Sequence, residues 1–255
     1  MEAGTAIDRR YVLVGPIGRG GVSVVYQAVD QTSGQPLAIK MLAPTFAGDA
    51  RARHRVHHEA MITDRLRHPS VPRVYAYGDA PLPDGTVVPY VVMELLTGVV
   101  LAGRLAGGAL PWRDAVAVAA TVGDVLAVAH RRGVVHRDLS PANVMMTDGG
   151  VKIIDFGAAV LVDDAGDGVD PADDVYALGV LLYEMLTGRS PYPNANPATA
   201  LDVARFPFVA PTPVLVVPGM PRAVADICRD CMAKRAADRP DSSSAALALW
   251  SVLMG

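Results

Sequence analysis

At 255 residues, 51% hydrophobic and 19% charged, with a net charge of −3, the chain can build a substantial core in one large domain or two tightly associated lobes, and it carries no basic field suited to nucleic acid or an anionic membrane. The N-terminal MEAGTAIDRR lacks the apolar run of a signal peptide, and the greasiest stretches are interrupted, Val87 to Leu105 by Pro89, Glu94 and Arg104, and Ala115 to Ala129 by Asp124. The expectation is a cytoplasmic protein with neither nucleic-acid nor membrane partners.

Tyr11 to Val14, Val22 to Val29 and Pro36 to Met41 are short, Val- and Tyr-rich segments separated by glycine turns, which predicts an antiparallel sheet. The first turn, GPIGRGGVSVVY, holds Gly18 and Gly20 ahead of Val25; small residues there let backbone N–H groups approach phosphates, but the same string also reads as an ordinary glycine hairpin. Lys40 ends the third strand within LAIK, a lone ammonium in apolar surroundings that requires a partner. The next segment, Ala50 to Leu66, is helical and sets Glu59 among Val56, Ile62 and Leu66, so its carboxylate either turns to the sheet or is solvated with the many charges around it. His54, His57 and His58 lie on this helix without the H-E-x-x-H spacing of a metal site and read as surface groups.

Val71 to Gly78 and Thr86 to Glu94 resume the strand pattern, for about five strands in all. Beyond Gly98 the pattern turns helical, over Pro111 to Arg132, Asp173 to Thr187, Arg222 to Ala233 and Ser242 to Met254. Cys228 and Cys231 form a C-x-x-C with no second Cys or His pair, so they read as two small apolar residues on one helix face.

Between the first two of these helices lies VVHRDLSPANVMMTDGGVKIIDFG, Val134 to Gly157. Val144 to Met146 and Val151 to Ile154 read as a hairpin about the turn Thr147 to Gly150, which brings Asn143 and Asp155 side by side as two oxygen donors suited to Mg2+. Asp138, five residues before Asn143, is the candidate base.

In order and across nearly all of the chain, GRGGVSVVY, LAIK, HHEAMITDRLRHPSVPRVYAYG, VVMELLTG, VVHRDLSPANV, VKIIDFG, DDVYALGVLLYEMLTGRSPY and AADRP resemble the protein-kinase signature set. The resemblance is to the bacterial eukaryotic-like (Hanks-type) Ser/Thr protein kinases. It implies an α+β, two-lobe fold: an N-lobe over residues 1–95 with about five antiparallel strands and one helix, and a larger, mainly helical C-lobe over 96–255, together one kinase domain.

By that resemblance Gly18 and Gly20 would cover the ATP phosphates, Lys40 would hold the α and β phosphates, and Glu59 would pair with Lys40. Asp138 would accept the substrate hydroxyl proton, while Asn143 and Asp155 would hold Mg2+, with Mn2+ as an alternative. Val25 and Ala38 would roof the adenine and Met145 floor it. Met93 would be the gatekeeper, and backbone groups of Glu94 and Leu96 would bind the purine edge. His136 would buttress the catalytic loop, and Asp174 would anchor it.

Three departures stand out. The third loop glycine is Ser23, which adds a side chain where the backbone should close over the phosphates. The catalytic-loop lysine is Ser140, and loss of one such transition-state donor costs about 3–4 kcal/mol. Only fifteen residues, AAVLVDDAGDGVDPA, separate Gly157 from DDVYALG; no Ser, Thr or Tyr occurs from Ala158 to Asp174, and there is no A-P-E. Arg137 is therefore expected to lack its usual phosphate partner and Arg239 its usual glutamate, with Asp163, Asp164 and Asp167 either a solvated turn or, through one carboxylate, a stand-in for the phosphate on Arg137.

The implied activity is ATP/Mg-dependent transfer to a hydroxyl, of a protein Ser or Thr or alternatively of a small molecule, without activation-loop phosphorylation. The other alternative is a pseudokinase scaffold.

Overall fold

The computed structural model describes residues 2–82, 84–162, 168–192 and 213–255. The chain divides into two compact units, Met1–Thr97 and Gly98–Gly255.

The first unit is a six-stranded antiparallel sheet with one helix. Strands β1 (Ala6–Ile7), β2 (Tyr11–Arg19), β3 (Ser23–Asp30), β4 (Pro36–Leu42), β5 (Val74–Pro81) and β6 (Val87–Glu94) lie in the order β1-β2-β3-β4-β6-β5. Strand alternation puts Leu13, Ala28, Ile39, Met41, Val88 and Val92 into one core with Ala52, Val56 and Ala60 of helix α1 (Ala50–Leu66). Asp49 starts α1 by accepting from the N–H groups of Arg51 and Ala52, at 2.9 and 3.1 Å, and Arg67 ends it in the left-handed region with φ 32°.

Three details differ from expectation. An extra two-residue strand, β1, pairs with the start of β2. Strand β2 runs on to Arg19, because register shifts between Leu13 and Gly15 and between Pro16 and Gly18 absorb the proline and glycines that suggested a turn. Strand β5 starts at Val74 rather than Val71, since Val71 closes a turn onto the His68 carbonyl and Pro72 has no N–H for a ladder.

The second unit contains β7 (Gly98–Val100), α2 (Leu101–Leu105), α3 (Trp112–Arg131), β8 (Val134–Val135), β9 (Val144–Thr147), β10 (Gly150–Ile153), β11 (Val160–Leu161), α4 (Pro171–Thr187), α5 (Arg222–Cys231) and α6 (Ser242–Met254). Helix α3 is its hub, with Val116, Ala119, Ala120 and Leu126 inaccessible to solvent. The predicted hairpin is β9–β10, but tighter than expected: Thr147 pairs with Gly150 across Asp148 and Gly149, and Gly150 takes φ 109°. On the other side of β9 lies β7, so close that a Cβ on Gly98 would run into the Met146 carbonyl oxygen.

Cys228 and Cys231 are 2% and 1% exposed on α5, turned against α4, where the Cys228 thiol donates to the Gly179 carbonyl at 3.4 Å. A Cβ on Gly179 would lie 2.9 Å from that of Cys231, so glycine is what lets these helices meet. Burial pushes both thiols up to about 12, as suits packing residues rather than metal ligands. No helix among the described residues is long and apolar enough to cross a membrane.

Candidate functional site

In the first unit the sheet and α1 bring together the charge pair that sequence alone left open. Lys40 Nζ donates to both Glu59 carboxylate oxygens, at 2.6 and 2.7 Å, and the two side chains are only 14% and 13% exposed. Lys40 is placed by pairing with Val25 on β3 and Val91 on β6, while Glu59 comes from the second half of α1. Gly18 pairs with Val25, and the Gly20 N–H donates to the Ser23 carbonyl at 2.8 Å to close the β2–β3 turn. Ser23 does not add a side chain on the outside of that turn: it is 6% exposed, with its Oγ beneath Gly20. Ala38, 5% exposed, pairs with Met93. Glu94 spends its N–H on the Arg73 carbonyl at 2.8 Å, and its carboxylate accepts from the Arg73 N–H. Leu96, half-buried, follows the end of β6.

The three histidines of α1 do not converge on a metal. His54 stacks on His58 with ring centroids 5.7 Å apart, and His57 lies 3.3 Å from Asp79. No group of three or more His, Cys, Asp or Glu suited to a metal occurs among the described residues.

In the second unit the chain leaving β8 forms a loop pinned from behind. Asp174, in the first turn of α4 and 1% exposed, accepts from the N–H groups of His136 and Arg137 at 2.7 and 2.8 Å and lies 2.9 Å from His130 Nε2. Arg137 has φ 67°, a bend that this double bond holds in place. His136 is fully buried against the Phe156 ring, 4.8 Å between centroids, and burial holds its imidazole below the usual histidine range. Its Nδ1 accepts from the Asp138 N–H at 3.2 Å, so the two motif residues orient each other.

Asn143 then joins the loop to the hairpin. Its Nδ2 donates to the Asp138 carbonyl at 2.8 Å and to Asp138 Oδ2 at 3.1 Å, and its carbonyl accepts from Ile154 at 2.9 Å, next to Asp155. Asp155 Oδ1 accepts from the Gly157 N–H at 2.7 Å. Met145 on β9 sits between Lys152 of β10 and Val100 of β7. With its amide nitrogen occupied, Asn143 has only an oxygen to offer, and Asp155 is a carboxylate, so the donor set has the hard-oxygen chemistry that Mg2+ takes.

Ser140 precedes the single turn Pro141–Asn143 and brings no cation to the loop. The Arg137 guanidinium makes no hydrogen bond or ion pair among the described residues; Asp163, Asp164 and Asp167 lie outside them. Arg239, expected to be unpartnered, is not. Its Nη1 donates to Asp173 Oδ1 and the Ala172 carbonyl at 3.2 and 2.8 Å, and its guanidinium lies 4.9 Å from the centroid of the Tyr176 ring. Reading the sequence also missed His130, which touches both Asp174 and, at 3.0 Å, Ser242 Oγ. The available signal was a histidine in the last turn of the Ala- and Val-rich α3, beside Arg131 and six residues before His136.

Residues 11–168 match the protein kinase domain family, and residues 166–249 match the protein tyrosine and serine/threonine kinase family. The chain is 33% identical, over 92% of its length, to a probable serine/threonine-protein kinase PknB of Bifidobacterium longum, 38% of which it covers. It is 34% identical, over 94% of its length, to the serine/threonine-protein kinase PknL of Mycobacterium tuberculosis, covering 66% of that protein. The chain thus spans between 38% and 66% of the length of these relatives. The crystal structure of the Mycobacterium tuberculosis PknI kinase domain matches with a TM-score of 0.76 at 25% identity, 99% of each chain being covered. The sequence motifs, the sheet-plus-helix unit, the catalytic-loop geometry and these likenesses agree: the chain belongs to the protein kinase family, with the bacterial Hanks-type serine/threonine kinases.

Proposed function

We propose that the chain is an ATP- and Mg2+-dependent phosphotransferase that moves the γ-phosphoryl group to a hydroxyl, that of a Ser or Thr in a protein, and does so without phosphorylation of its own shortened segment. The observation that carries this reading is the Asp138–Asn143 pair: one amide nitrogen bridges the Asp138 carbonyl and its carboxylate Oδ2, which fixes the candidate base in orientation. A purely structural loop has no need of a carboxylate so held.

In this reaction Asp138 accepts the proton of the attacking hydroxyl as its oxygen bonds to Pγ and the bond from Pγ to the β-phosphate oxygen breaks, releasing ADP. Lys40, oriented by Glu59, serves the α and β phosphates, and Gly18 and Gly20 let backbone N–H groups approach them. In the first unit Val25, Ala38 and Met93 would offer apolar surface to adenine, with Glu94 and Leu96 supplying backbone polar groups, and in the second Met145 would do the same. Asn143 and Asp155 would hold Mg2+, which when bound neutralises charge on the phosphate oxygens. Without a cation at Ser140, turnover is slower by about 100-fold to 1000-fold than a lysine-bearing loop would give.

The relatives' names, serine/threonine-protein kinases, support a protein acceptor. The competing reading, a nucleotide-binding scaffold, is favoured by Ser140 and by the shortened segment that lacks an A-P-E. Transfer from γ-labelled ATP to a cell extract separated into protein and small-molecule fractions tests both. The wild type is expected to label the protein fraction and Asp138→Asn is not; equal labelling by the two proteins overturns the enzyme.

A further inference from the structure

The first turn of α4 carries two adjacent aspartates with opposite tasks. Asp174 faces inward and holds His136 and Arg137 by their backbone N–H groups, whereas Asp173, with its side chain 39% exposed, takes the guanidinium of Arg239. A clamp on the first turn of a helix is only as rigid as that turn, which has no preceding turn to bond to and is prone to fray. Asp170 caps it through its side chain on the Ala172 N–H, at 2.8 Å, and its carbonyl on the Asp173 N–H, at 2.9 Å, and among the described residues no side chain before the helix reaches further into the turn.

Arg239 supplies the missing brace. Its side chain is 4% exposed and ties α4 to the chain just after α5: Nε donates to the Ala233 carbonyl at 2.9 Å, Nη2 to the Lys234 carbonyl at 3.4 Å, and Nη1 to Ala172 and Asp173. Tyr176, 1% exposed and one turn further along α4, lies under the same guanidinium. A planar fork meeting acceptors in several directions fixes both the height and the rotation of the turn, which a single ammonium would not do.

We propose that Arg239 is a positioning residue: through Asp173, the Ala172 carbonyl and the Tyr176 ring it sets the first turn of α4, and thereby the register in which Asp174 holds the loop bearing Asp138. This rests on the phosphotransfer reading for its consequence, not for its measurement. The carboxylate that Arg239 meets, Asp173, is on the loop-holding helix itself, so the brace acts on that helix directly.

Amide hydrogen exchange of His136 and Arg137, followed by NMR in the nucleotide-free protein, tests it. Arg239→Lys and Asp173→Asn are each expected to speed those two amides by about tenfold or more, with the β3–β4 amides unchanged. Asp173→Glu, which keeps the carboxylate, is expected to stay near wild type. In the transfer assay the first two variants lower kcat and leave the KM for ATP in place. Unchanged exchange at 136 and 137 in the folded variants overturns the proposal, as does faster exchange with an unchanged kcat. Should the wild type transfer no phosphate, the phosphotransfer reading fails while exchange still decides the brace.

Discussion

The two units hold their functional groups by different means. In the first, Lys40 and Glu59 meet as two long side chains, one from a strand and one from a helix, through charge-assisted bonds of 2.6 and 2.7 Å. In the second, Asp174 is a short side chain, 1% exposed, bonded to two backbone N–H groups and an imidazole. A pair of the first kind depends on where α1 lies against the sheet. One of the second kind cannot be released without unfolding the loop it holds. The Lys40–Glu59 pair therefore follows the position of α1, and the loop that carries the candidate base is assembled in advance.

Removing the second kind of anchor is expected to do the most damage. Asp174→Ala strands the buried His136 N–H, the part-buried Arg137 N–H and His130, each at about 1–3 kcal/mol, so urea unfolding should show a loss of about 3 kcal/mol or more. A loss under about 1 kcal/mol would mean that the loop is held by packing instead. Lys40→Met comes next, at about 1–2 kcal/mol, between the small worth of an exposed pair and the large cost of breaking a buried one. The same variant should abolish the thermal shift given by ATP and Mg2+. If it destabilises as much as Asp174→Ala, the contrast between the two anchors fails.

The smallest effect concerns pH. Burial lowers the His136 pKa, so the folded protein keeps this imidazole neutral under conditions where the unfolded chain, with its ordinary value of about 6.5, already binds a proton. The unfolded state then holds more protons, and stability rises with pH up to about 6.5 and levels above it, the slope being at most about 1.4 kcal/mol per unit for one group. Urea midpoints between about pH 5 and 7 should show a flatter rise in His136→Phe; an identical slope would show that the imidazole is charged in the fold.

Much of this was legible in the chain. The bounds of α1 and α6 agree with those read from the sequence, and the structure adds the aspartate, Asp49 or Asp241, that caps each. The hairpin was visible as two short apolar runs about a turn, but the turn was read too wide, because Gly150 joins the ladder in a conformation only its φ reveals. Strands of two or three residues, such as β8 and β11, carry no periodicity and exist only through their partners. The Lys40–Glu59 contact needed the family resemblance, since nothing local distinguishes Glu59 from the other charges of α1. Arg239's attachment was hidden for a different reason. Its partner Asp173 sits beside the anchor Asp174, and a sequence of adjacent aspartates does not say which one faces the loop and which the arginine.

The small-residue packing between α4 and α5 also has a practical use. Both cysteines of the chain are sealed there, with thiols raised to about 12, so alkylating reagents at neutral pH should leave the native protein unmodified and label it only as those helices part. The fold thus contains its own reporter of opening in the second unit. A single cysteine introduced on its surface would be the one reactive handle for a fluorophore, with no native thiol needing removal.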